Sequence, residues 1–206
     1  MYTSFIFDMD GVLIESEEFY FQRRLNYVLA MGITPTSSQL IDYIGLTDNL
    51  IWEKLISNAN QRKLVRTNYY AYYQKYPTDF RQLIRPEVTP LFHTLKKYDK
   101  KIGIASSSRK EVIEKMITDC NLTKFVDYYI GGDEVPISKP NPDIYLQARK
   151  HLGKELATVA IEDSPIGIQA AKAAGLHTVA LKQSFDLDQR QADSQIKTLK
   201  ELLQLM

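Results

Sequence analysis

The sequence predicts an α/β protein, a parallel sheet with helices on both faces, interrupted after its first strand by an inserted helical module. Three observations carry that expectation. From residue 101 onward, a short apolar run, a polar turn and an amphipathic stretch follow one another repeatedly, which is the pattern of strands alternating with crossover helices. The chain opens on another apolar run, Ser4-Phe5-Ile6-Phe7. Between about Glu15 and Arg85 the periodicity is helical, with no convincing strand. Residues 1–14 with 86–206 are therefore expected to form the sheet domain, and 15–85 the helical module.

Each element has its own local signal. In the module, Phe21, Leu25, Val28 and Leu29 recur at helical spacing, and Gly32 closes that segment. Thr36 and Gln39 have the spacing of a capping box, and Thr47 is placed to cap a helix carrying Leu50, Ile51, Leu55 and Ile56. Tyr69, Tyr72, Tyr73 and Tyr76 share one helical face, read as core packing in a small bundle rather than as an aromatic surface over a ligand. In the sheet domain, Lys101–Ala105 reads as a buried strand followed by Ser106-Ser107-Ser108, with Ser108 and Glu111 as a capping box for the next helix. Asp127–Ile130 is the following strand, halted by Gly131-Gly132. Asn141 and Pro142 then open a helix, as cap and first helical residue. Thr158–Ile161 is a third strand, Ser164-Pro165 starts its helix, Gly175 ends it, and His177–Leu181 is a fourth strand.

Composition limits the partners. A chain of 206 residues holds one solid core and a smaller subdomain. Its 44% apolar and 25% charged content is ordinary for a globular protein. A formal charge of +1, with acids and bases spread along the chain, argues against a nucleic-acid partner or a membrane-surface partner. No apolar stretch has bilayer length. The strand-like start is unlike a signal peptide, and the single cysteine, Cys120, leaves no intramolecular disulfide, so a cytoplasmic location is expected. Nothing points to a protein partner.

Four segments carry chemistry. Asp8 and Asp10 follow the first apolar strand, with Gly11 allowing a sharp turn after them. Ser106 and Ser107 lie between a strand and a helix, where hydroxyls and free N–H groups suit an anion. Lys139 stands beside another helix start, and Glu162-Asp163 ends the strand Val159–Ile161. Singly, each reads equally well as a turn, a cap or an exposed loop. Jointly they gather at the carboxyl edge of a parallel sheet, where open α/β sheets bind ligands. Asp8, Asp10, Glu162 and Asp163 would repel one another without a cation, and hard oxygen donors with no histidine or cysteine nearby select magnesium over zinc. Lys139 and the cation would screen a phosphoryl group, one aspartate would attack phosphorus, and the other would move protons. Glycine-rich nucleotide-binding motifs are absent.

In this order and spacing, Asp8-Met9-Asp10-Gly11-Val12, Ser106, Lys139-Pro140 and Glu162-Asp163 resemble the four motifs of the haloacid dehalogenase superfamily. The longer stretches Phe7–Ser16, Ala105–Arg109, Lys139–Tyr145 and Glu162–Gly175 are similar to its beta-phosphoglucomutase-like subgroup. The resemblance implies a Rossmann-like three-layer core with an inserted α-helical cap. It also implies Asp8 as nucleophile, Asp10 as general acid/base, and Ser106 and Lys139 around the phosphoryl group, where the residue pattern alone also places Ser107. Asp8, the Asp10 carbonyl and Asp163 would hold magnesium, with Glu162 close by or itself among the ligands. The implied activity is hydrolysis of a small phosphorylated metabolite, since dehalogenases of the superfamily do not need the second aspartate. The alternatives are a sugar phosphomutase and a non-catalytic ligand-binding relative. Against the mutase, Tyr20 stands where such enzymes carry a cap histidine. Asp48 falls where they carry a phosphate-binding arginine, and is expected to repel a distal phosphate.

Overall fold

Ser4–Phe7 forms strand β1, and the later strands are β2 (Lys101–Ser106), β3 (Tyr128–Gly131), β4 (Thr158–Glu162), β5 (His177–Leu181) and β6 (Ser194–Ile196). They make one parallel sheet in the order β3-β2-β1-β4-β5-β6. The structure is a computed structural model describing residues 1–44, 46 and 48–206. It divides into two compact units, Met1–Glu15 with Phe80–Met206, and Ser16–Asp79. The helices are α1 (Glu17–Ala30), α2 (Asp48–Leu55), α3 (Ala59–Lys75), α4 (Val88–Lys97), α5 (Lys110–Asp119), α6 (Asp143–Gly153) and α7 (Pro165–Ala173). None of them is long and apolar enough to cross a membrane.

The two-residue alternation of β1 divides the core of the sheet unit. Phe5 and Phe7 face one side, where they join Leu91, Phe92 and Leu95 of α4 and Ile113, Met116 and Ile117 of α5. Ile6 faces the other side, with Ile144, Tyr145 and Ala148 of α6 and Ala170 and Ala171 of α7. The fold is thus helix–sheet–helix in three layers, the α/β architecture that strand–helix alternation predicts. In register, Phe7 lies between Ile104 of β2 and Ile161 of β4. Asp8 therefore leaves β1 level with the ends of both neighbours. The strand order reverses direction between β1 and β4, so the crevice beyond their carboxyl ends is the topological switch point where such sheets bind ligands.

Several local readings change. Ser108 and Glu111 do not form a capping box: α5 starts at Lys110 with Arg109 as its N-cap. Ser108 is spent elsewhere, and Asp133 accepts the Lys110 N–H at 2.8 Å instead. Thr36 and Gln39 start no α-helix. Ser37 ties down this stretch, accepting the Gln39 N–H, and only a 3-10 turn, Leu40–Asp42, follows. Thr47, expected as the cap of α2, lies outside the described residues. Leu29 is exposed, and Tyr27 takes the buried position on α1. Helix α6 begins at Asp143, one residue past Pro142, though the Asn141 side chain still accepts the Asp143 N–H at 2.9 Å. Phe80, Leu83 and Ile84, read from sequence within the helical module, pack into the core of the sheet unit. At α7 the expected N-terminus forms, with the Ser164 hydroxyl accepting the Gly167 N–H ahead of Pro165. Ser194–Ile196 is an additional edge strand.

In the second unit, Phe21, Leu25 and Val28 of α1 pack with Ile51, Trp52 and Leu55 of α2 and Val65 of α3. Asn58 caps α3 by accepting from Asn60 and Gln61. Tyr69 and Tyr72 lie against this core, while Tyr76 is exposed and Tyr73 stacks on the Arg23 guanidinium at 4.3 Å.

Candidate active site

The carboxyl edge brings three acids into one cluster. Carboxylate oxygens of Asp8, Glu162 and Asp163 lie within 4.8 Å of one another. Asp8 and Asp163 are buried and Glu162 is fully so. Two glycines make that burial possible. A Cβ at Gly11, whose φ is +81°, would stand 2.0 Å from the Asp163 carboxylate, and one at Gly167 would stand 2.0 Å from that of Glu162. Both positions lack a side chain because a carboxylate occupies the space.

Lys139 enters from the loop before α6. Its Nζ donates to Asp8 Oδ1 at 2.6 Å, to Glu162 Oε1 at 2.6 Å and to the Ala105 carbonyl at 2.9 Å. Only 3% of the side chain is exposed. A buried ammonium is tolerated when it is paired with opposite charge and its donors are satisfied; here two donors meet carboxylates and the third a backbone carbonyl. Desolvation pulls the Lys139 pKa down, but the Asp8 and Glu162 charges outweigh it and leave it above the usual lysine value. Glu162 is spent on protein donors: Oε1 also accepts from Tyr145 Oη at 2.6 Å, and Oε2 accepts from the Asp163 N–H and the Ser164 hydroxyl. Its role in the geometry is to orient Lys139. Gly167→Ala is expected to push this carboxylate off Lys139, lowering stability by about 1–3 kcal/mol through overpacking. Urea unfolding checks the loss, and turnover should fall with it.

Asp10 is in the same loop as Asp8 but points its carboxylate to a different partner. Its Oδ2 accepts from the Ser108 hydroxyl at 2.8 Å. Ser106 is buried, and its Oγ accepts the Ser108 N–H at 3.0 Å. Ser107 is exposed, with its hydroxyl bonded to that of Ser138 at 3.1 Å. The four sequence segments thus meet at one edge, with Asp10 beside the three-carboxylate cluster rather than in it. Sequence reading missed Ser108 as the partner of Asp10, Tyr145 as that of Glu162, and Gln189. The Gln189 amide is buried and donates to the Asp163 carbonyl at 2.6 Å. No local pattern marks these three.

Burial, and then the neighbouring Glu162 and Asp10 charges, push the Asp8 carboxyl up to about 8 against the pull of Lys139. Keeping such a carboxyl ionised near neutral pH needs more positive charge than one lysine supplies. The cluster offers oxygen donors only, with no histidine or cysteine in it, which fits a hard divalent cation. The acidic cluster is a candidate metal centre on the chemistry of its donors.

In the helical unit, the expectation that Asp48 stands as a repelling acid needs correction. Its two oxygens take the Arg24 guanidinium at 2.9 Å and that of Arg66 at 3.4 Å. Two guanidiniums on one carboxylate leave a local excess of positive charge. Tyr20 lies beside Arg23, whose guanidinium is 5.0 Å from its ring.

A Rossmann-like sheet with an acid cluster, a buried lysine and hydroxyls at its switch point is the setting of a hydrolase site. The sequence profile of haloacid dehalogenase-like hydrolases matches residues 5–181, and the chain belongs to that family. Hexitol phosphatase B of Escherichia coli (strain K12) is 30% identical over 182 residues, covering 85% of this chain and 82% of that protein. A phosphorylated carbohydrates phosphatase of Thermotoga maritima is 27% identical over 178 residues, covering 84% and 82%. The crystal structure of a beta-phosphoglucomutase from Clostridium difficile superposes with a TM-score of 0.71 over 98% of this chain and 93% of the other. At 20% identity it speaks for the fold alone.

Proposed function

We propose that the chain is a magnesium-dependent phosphatase that hydrolyses small phosphomonoesters through an aspartyl-phosphate on Asp8, with Ser16–Asp79 serving as its cap. The observation that carries this reading is the Asp8 carboxylate, bound to Lys139 and clustered with Glu162 and Asp163, two residues from the separately held Asp10. An Asp8 oxygen attacks phosphorus as the bond from phosphorus to the leaving alcohol's oxygen breaks, and Asp10 gives the leaving oxygen its proton. Asp10, now ionised, takes a proton from water as the water attacks phosphorus. The Asp8–phosphorus bond breaks, inorganic phosphate leaves, and Asp10 is protonated again. Lys139 and the Ser106 region neutralise and hold the phosphoryl oxygens. Asp8, Asp163 and the Asp10 carbonyl, with Glu162 close by, would hold magnesium, which would supply further positive charge at the phosphoryl group.

The similarity to hexitol and carbohydrate phosphatases makes polyol and sugar phosphates the first substrates to test. A cytoplasmic setting suits the one buried thiol, Cys120. A phosphomutase is the second reading, favoured by the Arg24–Asp48–Arg66 cluster, which gives the helical unit cations able to hold a second phosphate. One experiment tests both: a panel of phosphorylated metabolites with and without chelator, including beta-glucose 1-phosphate with a bisphosphate primer. Free phosphate released only with magnesium is the expected result. Glucose 6-phosphate formed faster than free phosphate would overturn the hydrolase reading.

A further inference from the structure

The turn that carries Asp10 is held by two side chains from distant parts of the chain. Gly11 supplies its positive φ of 81°, and a glycine peptide is also the softest point in such a turn. Internal bonds tie most of it: the Met9 carbonyl accepts from Leu13 and Ile14, and the Gly11 N–H donates to the Ile14 carbonyl. The Gly11 carbonyl is held from outside the turn. It accepts from Arg85 Nη2 at 3.1 Å and from Gln183 Nε2 at 2.9 Å. These two also bind each other, Arg85 Nη2 donating to Gln183 Oε1 at 3.2 Å, so carbonyl, guanidinium and amide close a triangle.

Arg85 is itself well anchored. Its N–H donates to the Leu13 carbonyl at 3.0 Å, Ile84 bridges Ile14, and its Nη1 pairs with Glu15 at 2.8 Å. The guanidinium is mostly buried, with 18% of the side chain exposed and Nε buried without a hydrogen bond. Leaving such a donor unpaired is costly, so the side chain is placed by what its fork reaches, Glu15 and Gly11 together. Gln183 follows the end of β5, and its amide direction is fixed because Nε2 meets a carbonyl and Oε1 a cation.

We propose that Arg85 and Gln183 are positioning residues for proton transfer: they fix the Gly11 peptide and so aim the Asp10 carboxyl at the leaving-group oxygen. The proposal rests on the phosphatase reading, in which Asp10 is the general acid. A misaimed acid slows loss of an alkoxide, which needs a proton, far more than loss of p-nitrophenolate, which does not. A general loosening of the fold would slow both alike.

The test compares kcat/KM for p-nitrophenyl phosphate with that for whichever alkyl phosphate the wild type hydrolyses fastest. Kinetics are measured on Arg85→Ala, Arg85→Lys, Gln183→Ala and the Arg85→Ala/Gln183→Ala double variant. Arg85→Lys keeps a cation for Glu15 but loses the fork, so it tests the brace even if Arg85→Ala folds poorly. The expected result is a fall of about tenfold on the alkyl ester against about twofold or less on the aryl ester. The double variant should resemble Arg85→Ala, because the two residues share one carbonyl. Equal losses on both esters, or no loss on either, would overturn the proposal and leave the phosphatase reading standing. Turnover by Asp8→Asn at the wild-type rate would remove both.

Discussion

Asp8→Asn is expected to lower kcat by at least about 10⁴-fold, because an amide oxygen cannot replace a carboxylate as the nucleophile of covalent catalysis. The fold should survive the change and, without metal, gain from it. Burial dominates the Asp8 environment and raises its pKa to about 8, despite the Lys139 ammonium 2.6 Å away. A carboxyl with a raised folded-state pKa binds its proton more tightly folded than unfolded. Its contribution is full below the unfolded value of 3.8 and is lost as pH rises through about 8. Metal-free wild type should therefore lose stability across that window, and Asp8→Asn should lose less. Magnesium reverses the difference, since it binds the ionised cluster and stabilises only a protein that has one. Thermal unfolding at pH 5 and pH 8, with and without magnesium, gives all four values. An Asp8→Asn variant that turned over substrate, or that gained as much from magnesium as wild type, would exclude Asp8 as nucleophile and ligand.

The sheet was legible because its signals are local. β1, β2 and β4 are apolar runs of four to six residues, and the acids or serines at their ends are printed next to them in the sequence. In a parallel sheet all such ends share one edge, so Asp8, Ser106, Glu162 and Asp163 could be brought together without any knowledge of contacts. β6 escaped notice because it is three residues long with two exposed polar ones, Ser194 and Gln195, at the sheet edge. The start of α5 was misread for a related reason. Ser108 has the right residue type and spacing for a cap, but a hydroxyl makes only a few bonds and this one is committed to Asp10, 98 residues away.

The supporting residues follow the same rule in a stronger form. Tyr145 on α6 has a helical, core-like pattern, and nothing local indicates that its hydroxyl reaches Glu162. Gln183, Gln189 and Arg85 act on backbone carbonyls, which carry no residue identity for a sequence pattern to match. Asp48 shows the opposite error. Its sign was plain, but its effect depends on Arg24 and Arg66, 24 and 18 residues away along the chain. Charge at a position is readable from sequence; net charge in a neighbourhood is not.

Lys139→Met is expected to be the most destabilising single change at the site. The lysine is buried to 3% exposure between Asp8 and fully buried Glu162. Removing one partner of a buried ion pair leaves uncompensated charge, at a cost of about 3–5 kcal/mol. Methionine fills much the same volume, so the loss comes from electrostatics rather than from a cavity. That origin gives the loss a pH signature. Lys139 lowers the Asp8 pKa, so without it the carboxyl titrates higher still. Below about pH 8 Asp8 keeps its proton in both proteins, and the variant should stand closest to wild type there. Above about pH 8 the wild type gives up that proton while Lys139→Met still holds it and goes on losing stability, so the gap in unfolding free energy should widen there. Magnesium should narrow it again by supplying the missing charge, but metal binding must now displace a more tightly held proton and should weaken at neutral pH. Catalysis does not recover, because the ammonium that accompanies the phosphoryl oxygens in the transition state is gone, and kcat should fall by about 10²–10³-fold even at saturating metal. Denaturant unfolding across pH, with magnesium titrated at each point, measures these effects together. A loss of stability that stayed constant from about pH 7 to about pH 10 would mean that Lys139 contributes packing, and that the charge balance assigned to this edge of the sheet is wrong.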